Sequence, residues 1–102
     1  MTTFIMLTRT SPEVTRSPQI LEDLEKRAMD HIRNECPKVK WLHSYAVLGP
    51  YDYVDIFTAP DIETATKVST LIRTYGRAYS EIWAATEWKA FKDMLHGMPH
   101  AA

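Results

Sequence analysis

Three ionisable side chains, His43, Asp55 and Glu81, fall in three separate β-leaning segments, each interleaved with aromatic residues at alternate positions. A histidine beside a carboxylate can act as a general base, its pKa set by burial and by the acid. Tyr45 and Tyr79 can donate a hydrogen bond to an oxygen that gathers negative charge, as in an enolate or phenolate. Together these groups suit proton transfer or oxygen chemistry on a carbonyl or phenolic substrate, with His43 as base and Asp55 as its orienting partner. The bland alternative is a polar patch whose three members satisfy one another.

Other chemistries find less support. One histidine and two carboxylates lack the second histidine of the facial iron triad. His31 lies in a helical segment, and the His96/His100 spacing is interrupted by Gly97 and Pro99, so no metal site is expected. Haem would have His43 alone and no attachment motif. There is no Gly-x-Ser-x-Gly elbow, and the three glycines, Gly49, Gly76 and Gly97, are too scattered for a phosphate or dinucleotide loop. No cofactor is expected. Cys36, directly before Pro37, reads as a structural thiol in a reducing compartment.

The net charge of −1, with acids and bases interspersed, gives no basic face for a nucleic acid. No apolar run is long enough to span a bilayer, and the first residues lack the basic-then-apolar order of a secretory leader. A cytoplasmic protein of one domain over residues 1–102 is therefore expected, with a loose tail from about residue 97.

The elements that must position the candidate residues follow from patterning. Thr3–Arg9 is a short apolar strand, and 10–17 a loop. Ser17-Pro18 caps a helix in which Ile20, Leu21, Leu24, Ala28 and Ile32 recur at helical spacing. Glu22, Asp23, Glu25, Lys26 and Arg27 are expected on its outer side, and Pro37 closes it. Lys38–Leu48 and Asp52–Thr58 are strands joined at Gly49-Pro50-Tyr51, where Gly49 is expected to supply a positive φ and Asp52 to accept backbone N–H bonds. Asp61 caps a second helix through Ala65, Val68, Leu71, Ile72 and Tyr75, with Gly76 in the left-handed closing position. Arg77–Thr86 is a fourth strand, and Glu87–Leu95 a terminal helix carrying Trp88 and Phe91. Two helices crossing between four strands predict a ferredoxin-like βαββαβ α+β fold, with both helices on one sheet face.

A three-residue turn at 49–51 would pair odd residues of the second strand with odd residues of the third. Trp41, His43, Tyr45, Tyr53, Asp55, Phe57, Tyr79, Glu81 and Trp83 would then share the uncovered face, and Leu42, Ser44, Ala46, Leu48, Val54, Ile56, Ser80, Ile82 and Ala84 the helix side. Such an uncovered face is too apolar for water. Patterning thus predicts a homodimer through the sheet face, enclosing a partly polar cavity for a small molecule. Trp41, Phe57 and Trp83 would wall it, with Tyr45, Tyr53 and Tyr79 among the ligand contacts.

The run Leu48-Gly49-Pro50-Tyr51-Asp52-Tyr53-Val54-Asp55-Ile56-Phe57-Thr58-Ala59-Pro60-Asp61 resembles the signature of the GYD domain family. In that family a Gly-x-Tyr-Asp turn opens an apolar strand that ends in Ala-Pro-Asp before a helix. The resemblance implies the dimeric α+β barrel and no particular chemistry. Proteins sharing that barrel include cofactor-independent monooxygenases and isomerases, haem enzymes and ligand-sensing domains. A ligand-binding dimer, a small enzyme of the monooxygenase or isomerase kind, and a purely structural dimer with a filled interface all remain open at this point.

Overall fold

A computed structural model describes residues 1–12 and 17–99. Residues 13–16 of the loop expected over 10–17, and His100 with the end of the tail, lie outside the described residues. The elements are β1 (Thr2–Thr10), α1 (Pro18–Glu35), β2 (Lys40–Ala46), β3 (Tyr53–Ala59), α2 (Ile62–Tyr75), β4 (Ala78–Ala85) and α3 (Trp88–His96). The four strands form one antiparallel sheet in the order β2-β3-β1-β4, which is the ferredoxin-like α+β topology. Among the described residues no helix is long and apolar enough to cross a membrane.

The helix starts are set where the sequence puts them. The Ser17 hydroxyl accepts from the Ile20 N–H at 3.4 Å, with Pro18 at the first helical position. The Asp61 carboxylate accepts from the Thr64 N–H at 2.7 Å, and the Thr64 side chain together with this bond holds its carboxyl below the usual range. Glu87 caps α3 by accepting from the Ala90 N–H at 3.2 Å.

The end of α2 differs from expectation. Gly76 has φ −88°, and the left-handed residue is its neighbour Arg77, with φ 50°. A Cβ on Gly76 would stand 2.6 Å from the Ile72 carbonyl oxygen and 3.8 Å from the Ala28 Cβ. Close approach of the helix backbone, together with α1 packed alongside, therefore explains the glycine. Gly49 likewise does not take a positive φ.

The core is small and one-sided. Phe4, Met6, Phe57 and Ala59 of the sheet meet Ala65, Val68 and Leu71 of α2 and Ile32 and Cys36 of α1. Burial pushes the Cys36 thiol up, which keeps it protonated and unreactive. Over β4, the buried Ser80 hydroxyl lies 2.6 Å from that of Ser69, and the Arg73 guanidinium donates to the Ser80 carbonyl. Helix α2 thus sits firmly on β4. Helix α1 packs against α2 but stands away from β2 and β3.

Helix α3 buries no residue and leaves Trp88, Met94 and Leu95 exposed. The radius of gyration is 16.1 Å, against about 13 Å for a compact domain of 100 residues. Helix α3, which packs extensively on no other described element, contributes to that extension.

Candidate functional site

The hairpin register decides which side chains share a face, and it differs from the one expected. Ala46 pairs with Tyr53, Tyr45 with Val54, Ser44 with Asp55 and His43 with Ile56. The connection is a six-residue turn over 47–52, closed by Val47 N–H to Asp52 C=O at 2.9 Å. An even turn pairs odd positions with even ones, so the expected common face is divided. The register then slips between Trp41 and His43, and Trp41 returns to pair with Phe57. This bulge turns Trp41 to the helix side while His43 and Tyr45 remain on the open side.

The candidates therefore part as follows. Tyr53, Asp55 and Phe57 lie under the helices in line with Thr8, Met6 and Phe4 of β1, and Trp41 stacks on Phe57 with centroids 5.2 Å apart. His43, Tyr45, Tyr79, Glu81 and Trp83 lie on the uncovered face, with Ile5, Leu7, Val54 and Ile56. His43 and Asp55 are on opposite faces of the sheet. The expected base and orienting pair is thus not assembled, and neither is the three-residue patch with Glu81.

On the uncovered face, Tyr51 of the β2–β3 turn anchors that turn to β4. The Tyr51 hydroxyl donates to the Glu81 carboxylate. That bond, helped by Trp83, holds the Glu81 carboxyl below its ordinary range, and it raises the tyrosine's. Arg9 lies over both the Tyr51 and Tyr79 rings, 5.4 Å from each centroid. His43 stacks on Tyr45 at 6.0 Å.

Under the helices, the gap between α1 and the sheet forms a cavity of about 500 Å³. Its apolar wall comes from Leu21, Leu24, Ala28 and Met29 of α1, with Ile72 of α2. Its floor presents Thr8, Ser44, Tyr53 and Asp55, and Trp41 stands at one end. The Trp41 indole N–H donates to the Ser44 hydroxyl at 2.7 Å. Burial pushes the Asp55 carboxyl up, against the pull of the neighbouring Ser44 and Trp41 side chains, and the charge of Glu25 adds to the rise. Tyr53 is also raised, by burial first and then by Asp52 and Glu25. Thr8 is 6% exposed, and its hydroxyl oxygen has no hydrogen-bond partner among the described residues. A buried hydroxyl without a partner is costly, and here it faces a space large enough to hold one.

Thr8, Ser44 and Glu25 were not among the sequence candidates. Glu25 was expected on the outer side of α1, yet it lines the cavity. The signal was available in its spacing: Leu21, Leu24, Glu25 and Ala28 stand at i, i+3, i+4 and i+7, so one acid occupies the inward stripe. Thr8 follows Phe4 and Met6 at the strand's period of two. Ser44 was expected on the helix side, and it lies there, opposite Asp55. Among the described residues no three His, Cys, Asp or Glu side chains gather to hold a metal ion.

A ferredoxin-like α+β domain with a cavity between its first helix and its sheet is the class these features define. The chain belongs to the GYD domain family, which it matches over residues 4–95. No curated protein matches it significantly. Among solved structures it is similar to the leucine response regulatory protein LrpA of Mycobacterium tuberculosis, with TM-score 0.58 and 15% identity over 84% of this chain and 51% of that one. The chain thus spans about half the length of that regulator. It is also similar to At3g17210 of Arabidopsis thaliana (TM-score 0.61, 13% identity) and to TTHA0845 of Thermus thermophilus (0.54, 23%), each over 85% of this chain and 95% of the other. At these identities the likeness is one of fold.

Proposed function

We propose that this GYD protein binds a small organic molecule in the cavity between α1 and the β2–β3 hairpin, and works as a homodimer. The observation that carries the first part is the cavity floor. Asp55, Tyr53, Ser44 and the Thr8 hydroxyl, which has no partner among the described residues, face about 500 Å³ of space walled on the helix side mainly by Leu21, Leu24, Ala28, Met29 and Ile72. A cavity of that size, apolar with a few convergent polar groups, fits a small-molecule site. The test is a thermal-shift panel of metabolite-sized compounds on the wild type and on Leu24→Trp, which fills the cavity. A ligand of this site raises the melting temperature of the wild type only. If no compound does so, or if Leu24→Trp responds equally, the reading fails.

The dimer rests on two uncovered apolar surfaces of the same chain. The open sheet face carries Ile5, Val54, Ile56 and Trp83, and α3 carries Trp88, Met94 and Leu95. A second copy related by a twofold axis covers both at once. A second reading is enzymatic, and it shifts the base from His43 to Asp55. The raised Asp55 carboxyl, enclosed beside Tyr53, favours proton transfer with a bound carbonyl or phenolic compound. Turnover abolished by Asp55→Asn, with the fold retained, distinguishes that reading from binding alone.

A further inference from the structure

We infer that the cavity's ligand is an organic amine, an apolar body ending in a protonated ammonium group that meets Asp55, with Glu25 on the opposite wall. This rests on the binding reading above and names the ligand class of the same site.

Four observations bear on the choice. First, the charged groups of the lining are Glu25, Asp55 and Arg33. The Arg33 guanidinium is already engaged, donating to Asp30 at 2.9 Å on the exposed side of α1. The two carboxylates, one from the floor and one from the helix above it, leave the cavity net negative.

Second, the floor offers free acceptors to a ligand's donors, beside the hydroxyl hydrogens of Thr8 and Tyr53. The Ser44 oxygen is used by the Trp41 indole, so its own hydrogen is what it has left to give, and Asp55 is there to receive it. Asp55 retains further lone pairs, and the Thr8 hydroxyl oxygen accepts from nothing among the described residues. An ammonium group brings three donors for the acceptors on Asp55 and Thr8. A carboxylate ligand would bring acceptors only, and would face two negative charges.

Third, the unpartnered Thr8 hydroxyl is itself independent of the acids. It is 94% buried by its 6% exposure, and its position in β1 opposite Tyr53 turns it into the same space. Fourth, Trp41 and Tyr53 supply aromatic rings to the lining, whose π-faces attract a cation, most of all an organic one that has shed water. The remaining wall, Leu21, Leu24, Ala28 and Met29, suits a hydrocarbon body.

The experiment uses the full chain and three probes of one shape: benzylamine, benzyl alcohol and benzoate. Each is titrated by calorimetry into the wild type, Asp55→Asn and Leu24→Trp, with circular dichroism confirming that each variant is folded. The expected result is binding of benzylamine in preference to the other two, weakened by about tenfold or more in Asp55→Asn, as loss of a charge-assisted bond requires. Leu24→Trp should not bind it at all. Preference for benzyl alcohol or benzoate, with Leu24→Trp still blocking, overturns the amine assignment and leaves the cavity reading standing. Binding of benzylamine that is equal in all three proteins overturns the assignment to this site. Hexylamine is titrated as a second amine, and absence of binding by it and by every other probe overturns the assignment too.

Discussion

The Asp52 carboxylate accepts two hydrogen bonds from Thr10, one from the backbone N–H at 2.8 Å and one from the hydroxyl at 3.1 Å, across 42 residues of sequence. The Asp52 N–H in turn donates to the Thr8 carbonyl at 2.8 Å. The aspartate of the family's turn therefore ties the β2–β3 hairpin to the end of β1, next to the cavity floor. Its neighbour Tyr51 reaches across to Glu81 on β4. The turn is a clamp on three strands, and it sets the register that places Asp55 under the helices.

Asp52→Ala should cost about 2–4 kcal/mol, since two bonds to a part-buried charged group are lost and the Thr10 donors are left to water. Chemical denaturation of the variant measures this. A loss below roughly 0.5 kcal/mol, the scatter of a surface change, would contradict the clamp.

Phe57→Ala should be among the most damaging single changes. The ring is fully buried between Phe4 and Trp41, with centroids 5.7 and 5.2 Å away. A cost of about 3–5 kcal/mol is expected for a core aromatic, measured as the shift of the denaturation midpoint.

The acid at the cavity floor gives a pH signature. Asp55 is raised in the folded protein, so the folded form holds its proton more tightly than the unfolded chain does. Its contribution to stability is then present below the ordinary aspartate range and is lost as the pH rises through the raised value. Asp55→Asn removes that loss, so the variant should gain stability over the wild type at neutral pH, with the gain vanishing at low pH. Melting curves from about pH 3 to pH 8 check the direction, and a variant less stable near neutral pH would contradict the assignment.

Glu81 has the opposite sign. The Tyr51 hydroxyl and Trp83 favour its charged form, so the Glu81 contribution is present above the ordinary glutamate range and is lost as the pH falls. Tyr51→Phe should move the Glu81 carboxyl titration upward in an NMR pH series. An unchanged midpoint would place the hydrogen bond elsewhere.

The sequence carried the topology and the caps well, because these depend on local signals. Ser17-Pro18, Pro37 and Asp61 mark helix boundaries by their own backbone chemistry, and the alternation in β4 correctly put Ser80 and Ile82 inward and Tyr79, Glu81 and Trp83 outward. The faces of β3, and of Trp41 at the start of β2, were not legible, because they hang on the length of one turn and on one bulge. Gly49-Pro50-Tyr51 suggests a three-residue connection, whereas the Asp52 bonds to Thr8 and Thr10 hold a six-residue one. One residue of register moved Asp55 and Tyr53 to the helix side, and the slip beyond His43 carried Trp41 after them. The candidate residues belong to two different surfaces of the sheet.

The homodimer is tested by a charge on the open face. Trp83→Glu should convert a dimer to a monomer in sedimentation velocity, while leaving the far-ultraviolet dichroism unchanged. A wild type that sediments as a monomer at all concentrations contradicts the pairing.

The most direct test of the cavity is to map a bound compound by amide chemical-shift perturbation, in a labelled sample titrated with a hit from the thermal panel. Shifts are expected to concentrate at Thr8, Ala28, Ala46 and Tyr53 around the cavity, with Tyr79, Glu81 and Trp83 unmoved. Shifts concentrated on β4 and the open face instead would contradict the cavity between α1 and the sheet as the functional site.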